Sequence, residues 1–290
     1  MNSILRRFQC RTIFLALAGL LLGGCASLMA SAASGLADNL SSAILNQDDP
    51  ETVRAGAPSY LLLLDSFLEG SPDDPDLLSA AATMYASYGA VFADDELRAS
   101  RLTARARNYA QRAMCETYKP SCDWADLTYD EFVASLEGVQ PQHAEFLYTY
   151  GFAMLAYLRA HSSDWNSLAE LPHAEALLNR YLAIVGDDAD AAVHMYMGIL
   201  LTLRPPALGG KPEEARQHFE KAIAMSNGRD LGAKVEFARG YAKLLYDREL
   251  HDQLLGEVMT ADPYADGLTL TNVMAKEQAA QMLAEADNYF

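Results

Sequence analysis

The sequence is poor in cysteine, histidine and positive charge. It has 4 Cys and 6 His in 290 residues, and 22 Lys and Arg stand against 39 Asp and Glu, giving a net charge of −17. A surface with this charge repels the phosphates of nucleic acids and anionic lipid surfaces. The composition therefore predicts no nucleic-acid binding, and it predicts that any membrane contact does not depend on the charge of the protein surface.

Sequence signatures of enzymes and metal sites are also missing. There is no G-x-S-x-G or H-E-x-x-H motif and no calcium loop closed by Glu. No two His are spaced i, i+4, so no helix presents a pair of metal ligands on one face. We therefore expect no catalysis, no cofactor and no metal, although a triad assembled from distant residues stays open.

The N-terminus has the pattern of an export signal. Arg6, Arg7 and Arg11 precede a 13-residue apolar run, residues 12–24, which is too short to span a bilayer stably. The run ends in "LLGGC", which is typical of a bacterial lipoprotein box with Cys25 as the lipidated residue. An ordinary signal peptide with a chance cysteine is the alternative.

This pattern defines the predicted domain organisation. Residues 1–24 are expected to be a removed signal peptide, 25–34 a tether, and 35–290 a single α-helical domain. By resemblance to known sorting rules, Ala26 after the lipidated cysteine favours the outer membrane, with the chain facing the periplasm. Several acyl chains at Cys25 would suffice for stable anchoring.

Cys115 and Cys122 remain in the processed chain, seven residues apart. In an oxidising periplasm they are expected to form a disulfide, and Pro120 provides a bend between them. A redox-active pair would need the closer C-x-x-C spacing, and a zinc site would need further ligands at suitable spacing.

Helical periodicity accounts for the rest of the chain. Runs of Ala and Leu at helical spacing are separated by breaks, and alternating β-branched strand patterns are absent. A helix after Asp49 contains Pro58, which is expected to kink or restart it. Four helix pairs and a terminal helix follow, which predicts an all-α fold of about 11–13 helices.

The helix pairs share small residues at fixed offsets. The strongest copy has Gly198 in its first helix and Ala215, Phe219 and Ala222 in its second, at the A-x-x-x-F-x-x-A spacing of a tetratricopeptide unit. We therefore predict tetratricopeptide-like repeats stacked into a superhelix. The copies lie at unequal intervals, so an irregular helical bundle is the alternative.

The turn "RPPALGGKPEE" raises the question of a phosphate loop. The G-x-x-x-x-G-K-[ST] pattern fails because Pro205 occupies the first glycine position and Pro212 follows Lys211. We interpret Gly209 and Gly210 as residues of a tight turn between two helices.

This turn and its helix resemble those of the T component of tripartite ATP-independent periplasmic (TRAP) transporters, the TatT family. The likeness extends to "RAGAPSYLLLLDSFLE", "AATMYASYGAVFADDELRASRL" and "LTNVMAKEQAAQMLAEADNYF". The resemblance implies a lipid-anchored, non-catalytic transport component that associates with a periplasmic solute-binding P component. It also implies a homotrimer and an internal passage for an apolar or amphiphilic organic ligand. A tetratricopeptide scaffold for outer-membrane protein assembly is the alternative function.

Aromatic and Met residues recur on the first helices of the pairs, which line the concave face of such a superhelix. We predict that these residues line the ligand passage, and ordinary core packing is the alternative for each. The predicted lining residues are Tyr85, Tyr88, Phe92, Tyr148, Phe152, Met195 and Tyr196.

Overall fold

The structure is a computed structural model that describes residues 40–93 and 95–290. Twelve α-helices follow a short helical segment at residues 40–45. They are α1 (Pro50–Gly70), α2 (Pro75–Val91), α3 (Glu96–Thr117), α4 (Tyr129–Leu136), α5 (Ala144–Ala160), α6 (Trp165–Leu168), α7 (Leu171–Val185), α8 (Ala191–Thr202), α9 (Pro212–Met225), α10 (Leu231–Phe237), α11 (Arg248–Thr260) and α12 (Thr269–Tyr289). No strand occurs in the described residues, and the predicted all-α class is confirmed. The superhelix stays a prediction.

Aspartates begin many of these helices. Asp74 accepts hydrogen bonds from the backbone N–H groups of Asp76 and Leu77, both at 3.0 Å, and Asp95 accepts one from Arg98 at 2.8 Å. A side-chain oxygen at this position satisfies an N–H group that has no partner within the helix. Part of the acidic surplus is therefore explained by helix capping.

Pro58 was expected to kink or restart helix α1. The helix does not restart there, and it runs without interruption from Pro50 to Gly70. Proline has no N–H to donate to the carbonyl four residues earlier, which here belongs to Arg54. The Tyr88 hydroxyl of α2 donates to that carbonyl at 3.1 Å. A residue from the neighbouring helix therefore satisfies the acceptor that Pro58 leaves open.

The helices pack as the predicted pairs. Helix α2 packs against α3, α5 against α7, α8 against α9, and α10 against α11. Helix α3 also packs against α5, which joins the first pair to the second, and α12 packs against α10 and α11. A π-helical segment, Ala238–Ala242, extends α10.

Small residues allow the paired helices to approach closely. A Cβ atom added to Gly198 in α8 would lie 2.7 Å from the Phe219 ring of α9, and one added to Gly151 in α5 would lie 2.5 Å from Leu178 Cδ2 of α7. Ala215 and Phe219 are fully buried. The sequence offsets that suggested a repeat therefore correspond to sites where the helices of a pair meet.

An insertion between α3 and α5 carries α4 and the disulfide. Cys115 and Cys122 are joined, with their Cα atoms 4.6 Å apart. The buried Trp124 stacks on Tyr150 of α5 and meets the ring of Phe132 of α4 edge-on, with centroid distances of 6.1 and 5.2 Å. The insertion is thus attached to the helical core through aromatic contacts, and α4 lies against α7.

The two ends of the described chain also meet, because α12 contacts α1. The Asn46 side chain accepts a hydrogen bond from the Gly267 N–H at 2.8 Å and donates one to Asp266 at 3.1 Å. The Tyr264 hydroxyl donates to Asp48 at 3.2 Å. These contacts join the segment before α1 to the loop before α12.

Among the described helices, none combines the length and the apolar character that crossing a bilayer requires.

Candidate functional site

Four aromatic side chains from three helices form a cluster, which we call the aromatic cluster: Tyr148 and Phe152 of α5, Tyr181 of α7 and Tyr196 of α8. Ring centroids are 5.1 Å apart for Tyr148 and Tyr181, and 5.0 Å apart for Phe152 and Tyr196, whose rings stack. The ring centroids of Tyr148 and Tyr196 are 6.1 Å apart. Helix α5 supplies two members because residues four apart lie on the same helix face.

All four residues are partly buried, whereas the core residues that they pack against are fully buried. Met195, the neighbour of Tyr196 in α8, is also partly buried. Tyrosine combines an apolar ring with a polar tip, and methionine adapts to irregular apolar shapes. The surface that these residues present therefore suits an apolar molecule with a polar group.

The tyrosine hydroxyls of the cluster stay protonated. Burial raises the pKa of Tyr196 to about 12, and burial is also the largest cause of the raised pKa of Tyr148, to which the Tyr196 hydroxyl adds. The pKa of Tyr181 is raised by burial and then by the charge of Asp190. Each phenol is therefore neutral, and the hydroxyls of Tyr148 and Tyr196 interact with each other.

Two aspartates give this region a negative field. Asp190 caps α8 by accepting from the Ala192 N–H at 2.8 Å, and Asp230 caps α10 by accepting from Ala233 at 3.3 Å. The charges of both raise the pKa of Tyr196. Burial raises the pKa of Asp230 itself, against the two N–H groups that lower it. The field favours a neutral or basic polar group over an anionic one.

The structure places Tyr85, Tyr88 and Phe92 elsewhere. They are 3–5% exposed and lie among α1, α2 and α3. The Tyr85 hydroxyl donates to Asp65 at 2.6 Å, and the Arg54 guanidinium lies over the Phe92 ring at 5.3 Å. In the part of the chain that the structure describes, no ring contact links these three residues to the aromatic cluster. Their contacts are those of core residues.

Sequence reasoning did not assign Tyr181, Asp190 or Asp230 to a ligand site. Their proximity to Tyr196 depends on how three helices pack, so spacing along the chain carries no signal for it. Cys25 lies outside the described residues.

Residues 40–93 and 95–290 contain no group of three or more His, Cys, Asp or Glu side chains that could hold a metal ion. The six histidines include one close pair, with 2.9 Å between the Nδ1 atoms of His194 and His218.

Comparison with known families decides the classification. The family described as TRAP transporter T-component matches residues 46–290. The chain belongs to this family. A T-component is an accessory component of a TRAP transport system, and this places the chain in the periplasm or at a membrane. Comparison with curated proteins gave no match.

Proposed function

We propose that this T-component is a non-catalytic, lipid-anchored accessory component that binds a small apolar or amphiphilic organic ligand in TRAP transport. The aromatic cluster carries the proposal. Rings from three helices remain partly open in a region where the neighbouring side chains are fully buried. Partly open aromatic surface with a few convergent polar groups is typical of small-molecule sites.

The chemistry of the cluster supports a more specific ligand class. Neutral phenols can donate hydrogen bonds to a ligand oxygen or nitrogen, while the ring faces contact an apolar body. The charge of Asp190 and Asp230 would oppose an anionic head group near Tyr196. The proposed ligand therefore has an apolar body and a neutral or basic polar group.

Family membership supports the transport role, and the sequence resemblance supports the partner. We propose that the chain is tethered through Cys25 to the outer membrane, faces the periplasm, assembles as a homotrimer and associates with a solute-binding P component. Native mass spectrometry of the processed chain tests both the subunit count and any retained small molecule. A pull-down from periplasmic extract tests for the P component. Capture of outer-membrane assembly subunits instead would favour the scaffold alternative.

A direct test uses N-phenyl-1-naphthylamine, a neutral apolar fluorophore. We expect saturable binding, and we expect Tyr148→Ala combined with Tyr196→Ala to weaken it about tenfold or more, because the variant removes two ring faces. Tyr246→Ala is the control, since Tyr246 is 69% exposed and its ring stacks on Tyr289, outside the aromatic cluster.

Circular dichroism distinguishes the two interpretations of the cluster. If the rings are ordinary core, the double variant should lose about 3 kcal/mol or more of unfolding free energy while its folded fraction binds the probe unchanged. That result would contradict the proposed site.

A further inference from the structure

A second candidate site lies on the other side of α7, away from the aromatic cluster. A groove of about 520 Å³ lies between α4, α7 and the turn that joins α8 to α9. Its volume falls in the range of small-molecule sites. The residues used below are Tyr129 and Val133 of α4, Glu175 and Arg180 of α7, and Arg204 and Lys211 of the turn.

The turn is built by two glycines. Gly209 has a φ of +88°, which few other residues adopt readily. A Cβ atom added to Gly210 would lie 1.8 Å from the Arg204 carbonyl oxygen, so only glycine fits there. The Lys211 N–H donates to the Leu201 carbonyl at 2.9 Å. The chain thus folds back on itself and places both Arg204 and Lys211 at the groove.

Two guanidinium groups in the groove have donors to spare. Arg180 Nη2 donates to the carbonyls of Val139 and Glu137, at 2.6 and 3.1 Å, but its Nε is buried and has no partner among the described residues. Arg204 makes no side-chain hydrogen bond or ion pair with any residue in the described part of the chain. A buried donor without a partner is costly, so the pairing of Arg180 is incomplete within the described chain.

The other charges leave the groove cationic. Lys211 forms an ion pair with Glu175, and Glu214, which does not line the groove, lies 3.9 Å from Lys211 Nζ. Of the remaining charged residues that line the groove, one is negative, Glu137, and two are positive, Arg180 and Arg204. This is a local reversal of sign in a chain whose net charge is −17. An anion that reaches the groove would therefore find an attraction that the rest of the surface does not offer.

Apolar surface borders the cationic groups. Tyr129 is 45% exposed and Val133 is 38% exposed, one turn apart on the same face of α4. Tyr129 is fixed by an edge-to-face contact with His173 at 5.3 Å. The groove thus combines an apolar wall with guanidinium donors, whose geometry matches a carboxylate.

We propose that this groove binds a small organic carboxylate with an apolar body, which accepts hydrogen bonds from Arg180 and Arg204 and lies against Tyr129 and Val133. The site is separate from the aromatic cluster, whose negative field suits a neutral or basic group. It also gives the glycine turn a role in anion binding that does not require the failed phosphate-loop pattern.

The test is isothermal titration calorimetry of the intact processed chain with sodium octanoate, compared with octanamide. We expect octanoate to bind at least about tenfold more tightly, because the amide lacks the charge. Arg204→Gln should weaken octanoate binding about tenfold without a change in melting temperature, since this guanidinium has no partner to lose. Val133→Asp should weaken it as well, by placing a negative charge against the ligand.

Arg101→Gln is the matched control. Arg101 is an exposed arginine of α3 without a pairing partner in the described structure, and its replacement changes the net charge equally. Arg101→Gln should leave octanoate binding unchanged. Tyr148→Ala combined with Tyr196→Ala, which alters the aromatic cluster, should also leave octanoate binding unchanged. Equal binding of octanamide, equal weakening by Arg101→Gln, or loss of octanoate binding only in the aromatic-cluster variant would overturn the proposal.

Discussion

At the scale of single residues, Tyr88 shows how a side chain can serve the backbone of a neighbouring helix. Pro58 leaves the Arg54 carbonyl without its helical donor, and the Tyr88 hydroxyl takes that place. A buried acceptor left unpaired costs about 1–3 kcal/mol. The hydroxyl of this buried tyrosine therefore has a structural role that the pattern of aromatic residues did not indicate.

We expect Tyr88→Phe to lower the free energy of unfolding by about 1–2 kcal/mol, because the Arg54 carbonyl loses the Tyr88 donor and the Arg98 guanidinium loses an acceptor. Chemical denaturation measures the change, with Tyr60→Phe in α1 as the control. In a Pro58→Ala background, residue 58 regains an N–H that can donate to the Arg54 carbonyl. Tyr88→Phe should therefore lower the free energy of unfolding by less in that background. An equal cost in both backgrounds would show that the two residues are not coupled.

The histidine pair between α8 and α9 is a second feature at this scale. His194 is 3% exposed, and its Nε2 is buried without a partner among the described residues. Burial, followed by the charges of Lys221 and His218, lowers the pKa of His194 to about 4. Burial also lowers the pKa of His218. The folded state therefore disfavours a proton that the unfolded chain accepts near pH 6.5.

The contribution of His194 to stability should accordingly be complete above about pH 6.5 and fall as the pH drops towards 4. Urea unfolding at pH 7.5 and pH 5 measures how much free energy of unfolding is lost between these pH values. This loss should be about 1–2 kcal/mol smaller in His194→Gln, since glutamine cannot be protonated. An identical pH dependence in the variant and the parent would contradict this assignment.

At the scale of helices, the sequence predicted most where the determinants are local. The four pairs and the positions where small residues allow close approach follow from helical periodicity and fixed offsets, and the structure packs these helices together. Pro58 was expected to kink or restart α1. The helix continues because a residue 30 positions away, Tyr88, provides the missing donor, which a local pattern cannot indicate.

The site was less predictable for a related reason. Tyr85 and Tyr148 both lie on first helices, and sequence spacing alone does not say which face of such a helix meets the next one. Tyr85 is bonded to Asp65 within the core, whereas Tyr148 meets Tyr181 and Tyr196. The difference is set by long-range packing, which also brings Asp230 to the cluster.

A prediction at this scale concerns the crossing of α8 and α9. Gly198→Ala should lower the free energy of unfolding by about 1–3 kcal/mol, because the new methyl group meets the Phe219 ring. Gly256→Ala in α11 is the control, since a Cβ there meets nothing within 4 Å, and it should stabilise by about 0.5–1 kcal/mol. Thermal unfolding of both variants measures the contrast, and Phe219→Leu should partly rescue Gly198→Ala. Equal stabilisation by the two alanines would contradict the close approach.

At the scale of the whole molecule, the contact between the segment before α1 and the loop before α12 joins distant parts of the sequence. We expect Asn46→Ala to increase hydrogen exchange at residues 261–268, because the variant removes the hydrogen bonds to Asp266 and Gly267. Mass-spectrometric exchange measures it, with Asn166→Ala in α6 as the control. Unchanged protection of this loop would show that the contact contributes little.

This junction has a mechanical consequence. Because α1 contacts α12 and Asn46 bonds to the loop before α12, a pull on the chain just before α1 would be shared between these two helices. Moving the segment before α1 away from that loop would first require breaking the hydrogen bonds of Asn46 with Asp266 and Gly267.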